Sequence, residues 1–532
     1  MRPARRISSL NAPARSRLSR LSWPAALLVG FLLRVFPIDA ARPYIAYVDE
    51  GNFLHPVVGM VRGGGWDPGV YLYPQLPGTL VVAAVRLYAP VYRMRHGRDL
   101  SDALSGLPEV YDRLEPYAFL RIARAIDVLL GMGAVVLAGL LARRVGGPAA
   151  GASAAWLAAL APALVLRAPI ATVDSAATLY STLCLWVTAR EPESASPRRL
   201  ALLAGAAAGG AFASKYPAIL VAAAPLATIL ASRHGWSWAE KARRIALVGA
   251  GAVAGVVLAM PAVLLRTRDV IAAILIQRQE YRTNPPGAPL WRQALLRAES
   301  NLTYEHPELG AAFVAAAVIG LVLVLRGRET SPVGWGWAIF AVSSLALYGS
   351  QEFQPFRNLM PVVPVACASA AVAFARARAR LREPRWLDAG ALACVLVLWG
   401  APLTVYAWSR AHLVDSRRQA VDWVAAHAGQ STRTLVVRDL GILDTELARL
   451  PGRKDVRSWS EMDDAVRDLS PDVVLAGVLQ QPTGPAEDAA RAAWARSGYA
   501  LRARFGSRPT VPVAGWWHGN DEIVDVFERR IR

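Results

Sequence analysis

Long apolar runs separated by short polar connections fill most of this chain. They recur over the first 410 residues at close to the length that a membrane-crossing helix requires. The pattern predicts eleven transmembrane helices, at about 23–39, 122–142, 148–166, 174–190, 199–214, 217–232, 245–263, 309–325, 334–349, 360–376 and 387–407. It indicates an α-helical polytopic membrane protein, since no soluble domain needs so many such runs.

The charges between these runs predict an orientation. Six arginines precede the first run, and arginine-rich connections alternate with connections that carry isolated cations. Because cationic connections stay in the cytoplasm, the N-terminus is expected there. The same bias explains most of the net charge of +19, and without a basic-aromatic surface or zinc-finger spacing we expect no nucleic-acid partner.

One apolar stretch does not fit as a crossing. A helix through the membrane at 74–91 would place every arginine-rich connection outside, so we expect this stretch to lie in the interface. Residues 40–120 then form one large external loop. A second external loop, at 264–308, is polar and interrupted by prolines.

The character of the chain changes after Trp408. The pattern then predicts short strands at Thr434 to Val437, Asp472 to Leu475, Leu501 to Phe505 and Ile523 to Phe527, with helices at 417–427 and 486–496. The chain thus divides into a basic N-terminus (1–22), a transmembrane domain (23–410) and a small α/β domain (411–532). The odd number of spans puts this α/β domain outside.

The acidic pair Asp49-Glu50 follows the first span, on the external side. Adjacent carboxylates at a membrane rim suit proton abstraction or metal binding at a substrate held there. An ordinary solvated loop with acidic residues is the alternative that this pair alone leaves open.

A series of short motifs lies along the chain. In chain order they are Arg34, Asp49-Glu50-Gly51, Trp66-Asp67-Pro68, Tyr73-Pro74, Arg121 or Arg124, Thr172-Val173-Asp174, Ser214-Lys215-Tyr216-Pro217, Arg357-Asn358-Leu359-Met360-Pro361 and Asp415-Ser416-Arg417-Arg418-Gln419-Ala420. In this order they resemble the polytopic GT-C glycosyltransferases, in the bacterial group related to protein O-mannosyltransferases and aminoarabinose transferases (glycosyltransferase family 39-like). The resemblance extends over about 400 residues.

The resemblance implies a GT-C-like enzyme that moves a sugar, with inversion, from a polyprenyl-phosphate donor to an acceptor outside a bacterial inner (plasma) membrane. It implies that Asp49 is the catalytic base or a metal-associated carboxylate, with Glu50 as its partner. The acceptor (protein, glycolipid or polysaccharide) and a divalent cation stay open. Aminoarabinose-type relatives have an acid and a lysine where this chain has Leu72 and Tyr73, which argues against that donor.

The predicted spans place several charged residues at their outer ends, near the level of Asp49. A cation there would stabilise the phosphate of a lipid-linked donor, and Lys215 and Arg357 are the first candidates, before Arg34 and Arg121. Snorkelling to the interface is the alternative for each of them. Further candidates for supporting roles are Asp174, Tyr73, Tyr216 and His55. Asp174 also suits a helix N-cap, and His55 an ordinary loop position.

Two other functions fit the composition. A transporter or flippase of lipid-linked sugars would have ionisable residues at mid-membrane depth and repeated halves, whereas here the ionisable residues gather at one rim. A binding protein that uses the external domain would leave Asp49, Lys215 and Arg357 without a shared purpose.

Overall fold

The computed structural model describes residues 17–40, 42, 44, 48–104, 117–190, 196–233, 235–280, 310–349, 356–381, 394–411, 415–437, 442, 444–458, 461–478, 492, 494–505 and 523–529. All structural statements below concern these residues. The predicted external loop 264–308 is described only as far as residue 280.

Sixteen helices make up the described part of the N-terminal region. They are α1 (Arg17–Val35), α2 (Val48–Arg62), α3 (Gln75–His96), α4 (Leu100–Leu104), α5 (Tyr117–Leu160), α6 (Pro162–Arg167), α7 (Asp174–Arg190), α8 (Pro197–Ser214), α9 (Ala223–Ala231), α10 (Trp238–Ala259), α11 (Ala262–Leu265), α12 (Thr267–Glu280), α13 (Ala311–Arg326), α14 (Ser331–Gly349), α15 (Val363–Leu381) and α16 (Ala401–Ala411). The 3-10 segments Tyr216–Ala222 and Phe356–Val362 lead into α9 and α15, and a π-helical segment, Leu396–Gly400, leads into α16.

This helix order confirms the predicted fold class. In the described part of the chain, the predicted spans coincide in order with α1, the two halves of α5, α7 to α10 and α13 to α16. Three helices are both long and apolar enough to cross a membrane by length and composition: Tyr117–Leu160, Trp238–Ala259 and Arg357–Arg380. Four shorter apolar helices accompany them, at Ser22–Val35, Tyr216–Ala231, Ala312–Arg326 and Leu396–Val405.

The two predicted spans at 122–142 and 148–166 join into the single long helix α5, but a kink separates them. Gly147 has φ +83° and is followed by Pro148, so the helical geometry is interrupted there. Proline cannot donate the backbone hydrogen bond that would continue the helix, and glycine tolerates this positive φ. The kink therefore separates the two stretches that the sequence predicts as individual spans.

The stretch expected to lie in the interface is helical. It forms α3, which ends at Gly97 (φ +68°), whose N–H donates a 2.8 Å hydrogen bond to the carbonyl oxygen of Arg93. This is a left-handed helix cap of the kind that glycine favours. Helix α3 is not among the candidate spans. Its place in the plane of the membrane stays a prediction.

Helices α8 and α10 lie with their backbones almost in contact. A Cβ atom added to Gly205 would lie 2.0 Å from the carbonyl oxygen of Val248, and one added to Gly251 would lie 2.1 Å from that of Leu202. Both helices repeat glycine four residues further on, at Gly209 and Gly255. Small residues at this spacing let membrane helices approach closely and gain van der Waals contact.

The C-terminal domain contains a five-stranded sheet. Its strands are β1 (Arg433–Val437), β2 (Arg453–Arg457), β3 (Val473–Val478), β4 (Tyr499–Phe505) and β5 (Ile523–Arg529), in the order β2-β1-β3-β5-β4. β1 is parallel to both of its neighbours, whereas β5 is antiparallel to β3 and β4. The helices of this domain are α17 (Ser416–His427), α18 (Asp444–Leu447) and α19 (Met462–Leu469).

Most of this domain agrees with the predicted pattern, and all four predicted strands are present. Strand β2 and the helices α18 and α19 were missed by the prediction. The predicted helix at 486–496 lies largely outside the described residues. The hydrophobic core contains the inward-facing residues of α17 and the central strands, among them Val424, Leu435, Val474 and Val526.

Candidate active site

The acidic pair lies in the first turn of α2. Carboxylates are favourable there because the unpaired N–H groups of a helix N-terminus carry partial positive charge. Although they are adjacent, the two side chains have different surroundings. Glu50 is completely buried, whereas the side chain of Asp49 is 16% exposed.

Glu50 forms a buried, bidentate ion pair with Arg124 of α5. Both of its oxygens accept hydrogen bonds of 2.8 Å from the guanidinium, and Oε1 also accepts from the N–H of Ala171 at 2.9 Å. The Arg124 Nη1 atom donates in addition to the carbonyl oxygens of Ile38 and Ala40, at 2.8 and 3.0 Å. A charged pair with this many hydrogen bonds fixes the position of the chain before α2.

Asp49 contacts a different cation. Its Oδ2 atom accepts a short hydrogen bond from the guanidinium of Arg357, and its Oδ1 atom accepts one of 3.3 Å from the Tyr73 hydroxyl. Arg357 lies in the 3-10 segment before α15, so this contact joins chain segments 308 residues apart. The partly exposed carboxylate is thereby oriented from both sides.

Lys215 follows α8 and lies in a second polar cluster. Its ammonium donates to Asp174 Oδ1 and to Asn358 Oδ1, each at 2.6 Å. Asn358 is the neighbour of Arg357, so the two cations are held at the same short helical segment. An ammonium group has three protons, and the described residues provide acceptors for two of them.

The segment before α7 connects these clusters. The N–H of Ala171 binds Glu50, as described above, and the N–H of Thr172 donates to Asp127 Oδ2 at 2.6 Å. The Thr172 hydroxyl donates to Asp174 Oδ2 at 3.3 Å. Asp174 is the first residue of α7, and its carboxylate pairs with Lys215; its role as a helix N-cap stays a prediction.

The segment that carries Tyr73 is itself held in place by hydrogen bonds. The Tyr216 hydroxyl donates to the carbonyl oxygen of Tyr71 at 2.6 Å, and the Gln277 amide donates to that of Leu72. Tyr71 also donates to Asp67, and this hydrogen bond holds the pKa of the Asp67 carboxyl below its ordinary value. Tyr216, which the sequence suggested as a supporting residue, thus contacts the main chain two residues before Tyr73.

The structure gives the remaining predicted residues other surroundings. Arg34 is fully buried and donates to the carbonyl oxygens of Gly30 and Ala159, each at 2.8 Å, and of Ala158 at 3.1 Å. The exposed Arg121 pairs with Asp39 at 3.3 Å. Within the described residues neither cation reaches Asp49, Lys215 or Arg357, so their assignment to the donor phosphate gains no support here. His55 is exposed on α2.

Three residues of the clusters were not among the predicted site residues: Arg124, Asp127 and Asn358. Arg124 and Asp127 had a signal in the sequence, since ionisable residues inside an apolar run are costly and usually have a purpose. The sequence favoured Arg121 over Arg124 as a site residue, whereas the structure pairs Arg124 with Glu50. Asn358 had only its position beside Arg357.

The residues that the structure describes contain no cluster of side chains suited to a metal ion. No group of three or more His, Cys, Asp or Glu side chains in the described ranges is arranged to hold a metal ion. Of the predicted pair, the Glu50 side chain is completely buried against Arg124, whereas the Asp49 side chain is partly exposed. A divalent cation stays a prediction.

Part of this chain matches a known family of enzymes, and its fold is similar to that of solved membrane proteins. The sequence model of the dolichyl-phosphate-mannose-protein mannosyltransferase family matches residues 120–264, a region that contains Arg124, Asp174 and Lys215. ArnT from Cupriavidus metallidurans, solved with bound undecaprenyl phosphate, has a similar structure. Its TM-score is 0.53 at 15% identity, over 96% of this chain and 98% of that one.

Archaeal enzymes give a second comparison. The oligosaccharyltransferase AglB from Archaeoglobus fulgidus, solved with an inhibitory peptide and a dolichol-phosphate, matches with a TM-score of 0.51 at 13% identity, over 87% of this chain and 70% of that one. A structure of the same organism's oligosaccharyltransferase tethered to an acceptor peptide has a TM-score of 0.52 at 13% identity, over 87% and 69%. The region 120–264 therefore matches a mannosyltransferase family model, and the fold of this chain is similar to that of known GT-C membrane glycosyltransferases.

Comparison with curated protein sequences gives no match to this chain. Its relationship is therefore carried by the family model and by the fold. The family match ends before Arg357 and begins after Asp49, so the pairing of these two residues is known from the structure of this chain alone.

Proposed function

We propose that this protein transfers a sugar from a polyprenyl-phosphate donor to a hydroxyl group of an acceptor, at the extracytoplasmic face of a bacterial inner membrane. The observation that carries the proposal is the ion pair of Asp49 with Arg357, whose neighbour in the chain, Asn358, accepts a hydrogen bond from a second cation, Lys215. The phosphate-linked lipids bound to the similar ArnT and AglB structures support the donor class.

In this reaction Asp49 acts as the general base. The acceptor oxygen bonds to the anomeric carbon, and its proton passes to the Asp49 carboxylate as the bond from that carbon to the phosphate oxygen breaks. A single displacement of this kind inverts the anomeric centre. Tyr73 and Arg357 hold the carboxylate in one orientation, which is the geometric requirement for a general base.

The electron pair of the broken bond stays on the departing polyprenyl phosphate. Lys215 stabilises this charge with its third proton, and Arg357 with its planar donors. Because Arg357 pairs with Asp49 here, a donor phosphate would compete with Asp49 for the guanidinium. Binding of the donor would then loosen the ion pair and raise the basicity of Asp49 when it is needed.

The acceptor is one of three classes: protein, glycolipid or polysaccharide. The acceptor peptide tethered to the archaeal oligosaccharyltransferase supports the first of them. Whether a divalent cation assists the reaction is decided by transfer measured with a chelator and with added Mg²⁺ or Mn²⁺.

The test is sugar transfer by purified protein in lipid, using a panel of radiolabelled polyprenyl-phosphate monosaccharides and wild type beside Asp49→Asn. The amide keeps the shape of the carboxylate but cannot accept the proton. We expect the variant to lose about 10²- to 10⁴-fold in kcat and to retain donor binding. The donor that wild type consumes identifies the sugar.

The control is Asp99→Asn, which removes an exposed carboxylate of the same external region that pairs with Arg93. It should transfer sugar at the wild-type rate. If wild type and Asp49→Asn bind polyprenyl phosphate equally and consume no donor, the enzyme proposal fails and the transporter or flippase becomes the better interpretation.

A further inference from the structure

One buried side chain joins the C-terminal sheet domain to the chain segment that precedes Asp49. The guanidinium carbon of Arg417, in α17, lies 3.7 Å from the ring centroid of Tyr44. Tyr44 is completely buried and Arg417 is 1% exposed. A cation on an aromatic face is most strongly attracted when water is excluded, as it is here.

Asp415 fixes the orientation of this guanidinium. Its Oδ1 atom accepts from both the backbone N–H and the Nε of Arg417, each at 2.9 Å, and its Oδ2 atom accepts from Nη2 at 3.0 Å. The same carboxylate is the N-cap of α17. The Asp415 side chain therefore fixes both the start of α17 and the plane of the Arg417 guanidinium.

Helix α17 is anchored in the sheet domain on the same face. Arg417 is followed by Ala420, Val421 and Val424, spaced so that all four lie along one side of a helix. These three apolar residues are buried in the core of the sheet domain. Arg417 thus extends a face that the sheet holds rigidly.

The segment before Asp49 is held from its other end by the helical domain. Arg124 binds the carbonyl oxygens of Ile38 and Ala40 as well as the carboxylate of Glu50. Tyr44 lies between these points along the chain. The chain that leads to Asp49 is therefore contacted by one arginine of each domain, Arg124 of the helical domain and Arg417 of the sheet domain.

We propose that Arg417 is a positioning residue. Through Tyr44 the sheet domain helps to hold the start of α2, and with it the Asp49 carboxylate, in the orientation that the reaction requires. For its effect on catalysis this inference rests on the proposed function. It gives the C-terminal domain a part in the reaction, since a displacement of about 1 Å at a reacting group can cost on the order of 10²-fold in rate.

The experiment compares Arg417→Lys with Arg418→Lys in the full-length protein in lipid. Lysine keeps the charge but lacks the planar fork that binds Asp415 and stacks on Tyr44. Arg418 is exposed on the same turn and serves as the matched control. On the Tyr44 side of the contact, Tyr44→Leu removes the aromatic ring, and Tyr44→Phe retains it.

Hydrogen exchange of peptides covering residues 38–55 is the first readout. We expect faster exchange there in Arg417→Lys and Tyr44→Leu, with β1 and β3 as protected as in wild type. The second readout is transfer: kcat should fall by about tenfold to a hundredfold with KM for the donor unchanged. Arg418→Lys and Tyr44→Phe should resemble wild type.

Unchanged exchange at 38–55 in Arg417→Lys overturns the inference. So does an equal loss of protection in β1 and β3, because Arg417 would then serve only the folding of the sheet domain. If wild type transfers no sugar, the proposed function fails, and the exchange measurement still decides whether Arg417 holds the segment.

Discussion

At the scale of single residues, the adjacent Asp49 and Glu50 have separate tasks. Glu50 neutralises the buried Arg124, whereas the Asp49 side chain stays partly exposed. We therefore expect Glu50→Gln to reduce the free energy of unfolding by about 3–5 kcal/mol, because it leaves the Arg124 charge buried without its counter-ion. Thermal unfolding in detergent measures this, and Asp49→Asn should lower the unfolding temperature less than Glu50→Gln, because its partner Arg357 is less completely buried than Arg124.

The control for this prediction is a double variant. Removing the charge of Arg124 together with that of Glu50 should cost less stability than the sum of the two single changes, since neither charge is then left alone. If Glu50→Gln is as stable as wild type but inactive, Glu50 has a chemical task and the division between the two carboxylates is wrong.

At the scale of helices, the contact between α8 and α10 supports the site, because Lys215 directly follows α8. A methyl group at Gly251 has no room beside the Leu202 carbonyl, so we expect Gly251→Ala to separate the helices, lower thermal stability and reduce transfer. Gly249→Ala is the matched control on the same helix, since nothing lies within 4 Å of its added methyl group. That variant should be neutral or stabilising, as alanine is the better helix former. Equal behaviour of the two variants would contradict the close packing as a source of stability.

At the scale of the whole molecule, the arginine-rich connections and an odd number of spans predict opposite locations for the two ends of the chain. A fluorescent protein fused to the N-terminus should fluoresce in the cytoplasm of a bacterial host. Alkaline phosphatase, which folds only outside, should be active when fused after Arg532. Phosphatase fused in the connection at Arg143-Arg144 should be inactive. The reverse result would put Asp49 and the sheet domain in the cytoplasm and contradict an extracytoplasmic reaction.

The helices could be read from the chain because each depends on a local pattern. An apolar run long enough to cross a membrane must satisfy its own backbone hydrogen bonds, so it is helical wherever it packs. Strand β2 has no such pattern. Its residues Arg453–Arg457 are mostly polar and become a strand by pairing with β1, twenty residues earlier in register. An edge strand of this kind depends on its neighbour and leaves little local signal.

The residues of the candidate site could be predicted from the sequence in part. Residue types and their positions at the outer ends of spans were enough to propose Asp49, Lys215 and Arg357, since isolated charges beside apolar runs are costly. Their partners were not predictable from the chain. Asp49 meets Arg357 across 308 residues, and Lys215 meets Asn358 across 143.

The sequence by itself determined the helical membrane fold, the order of its helices and the acidic and basic residues from which the site is built, because each follows from chemistry within a few turns of chain. Only the tertiary structure decided that Glu50 is a buried partner of Arg124 and that Asp49 faces Arg357. Only the tertiary structure likewise placed Arg417 on Tyr44. These contacts depend on how distant helices pack, and packing is a property of the whole chain.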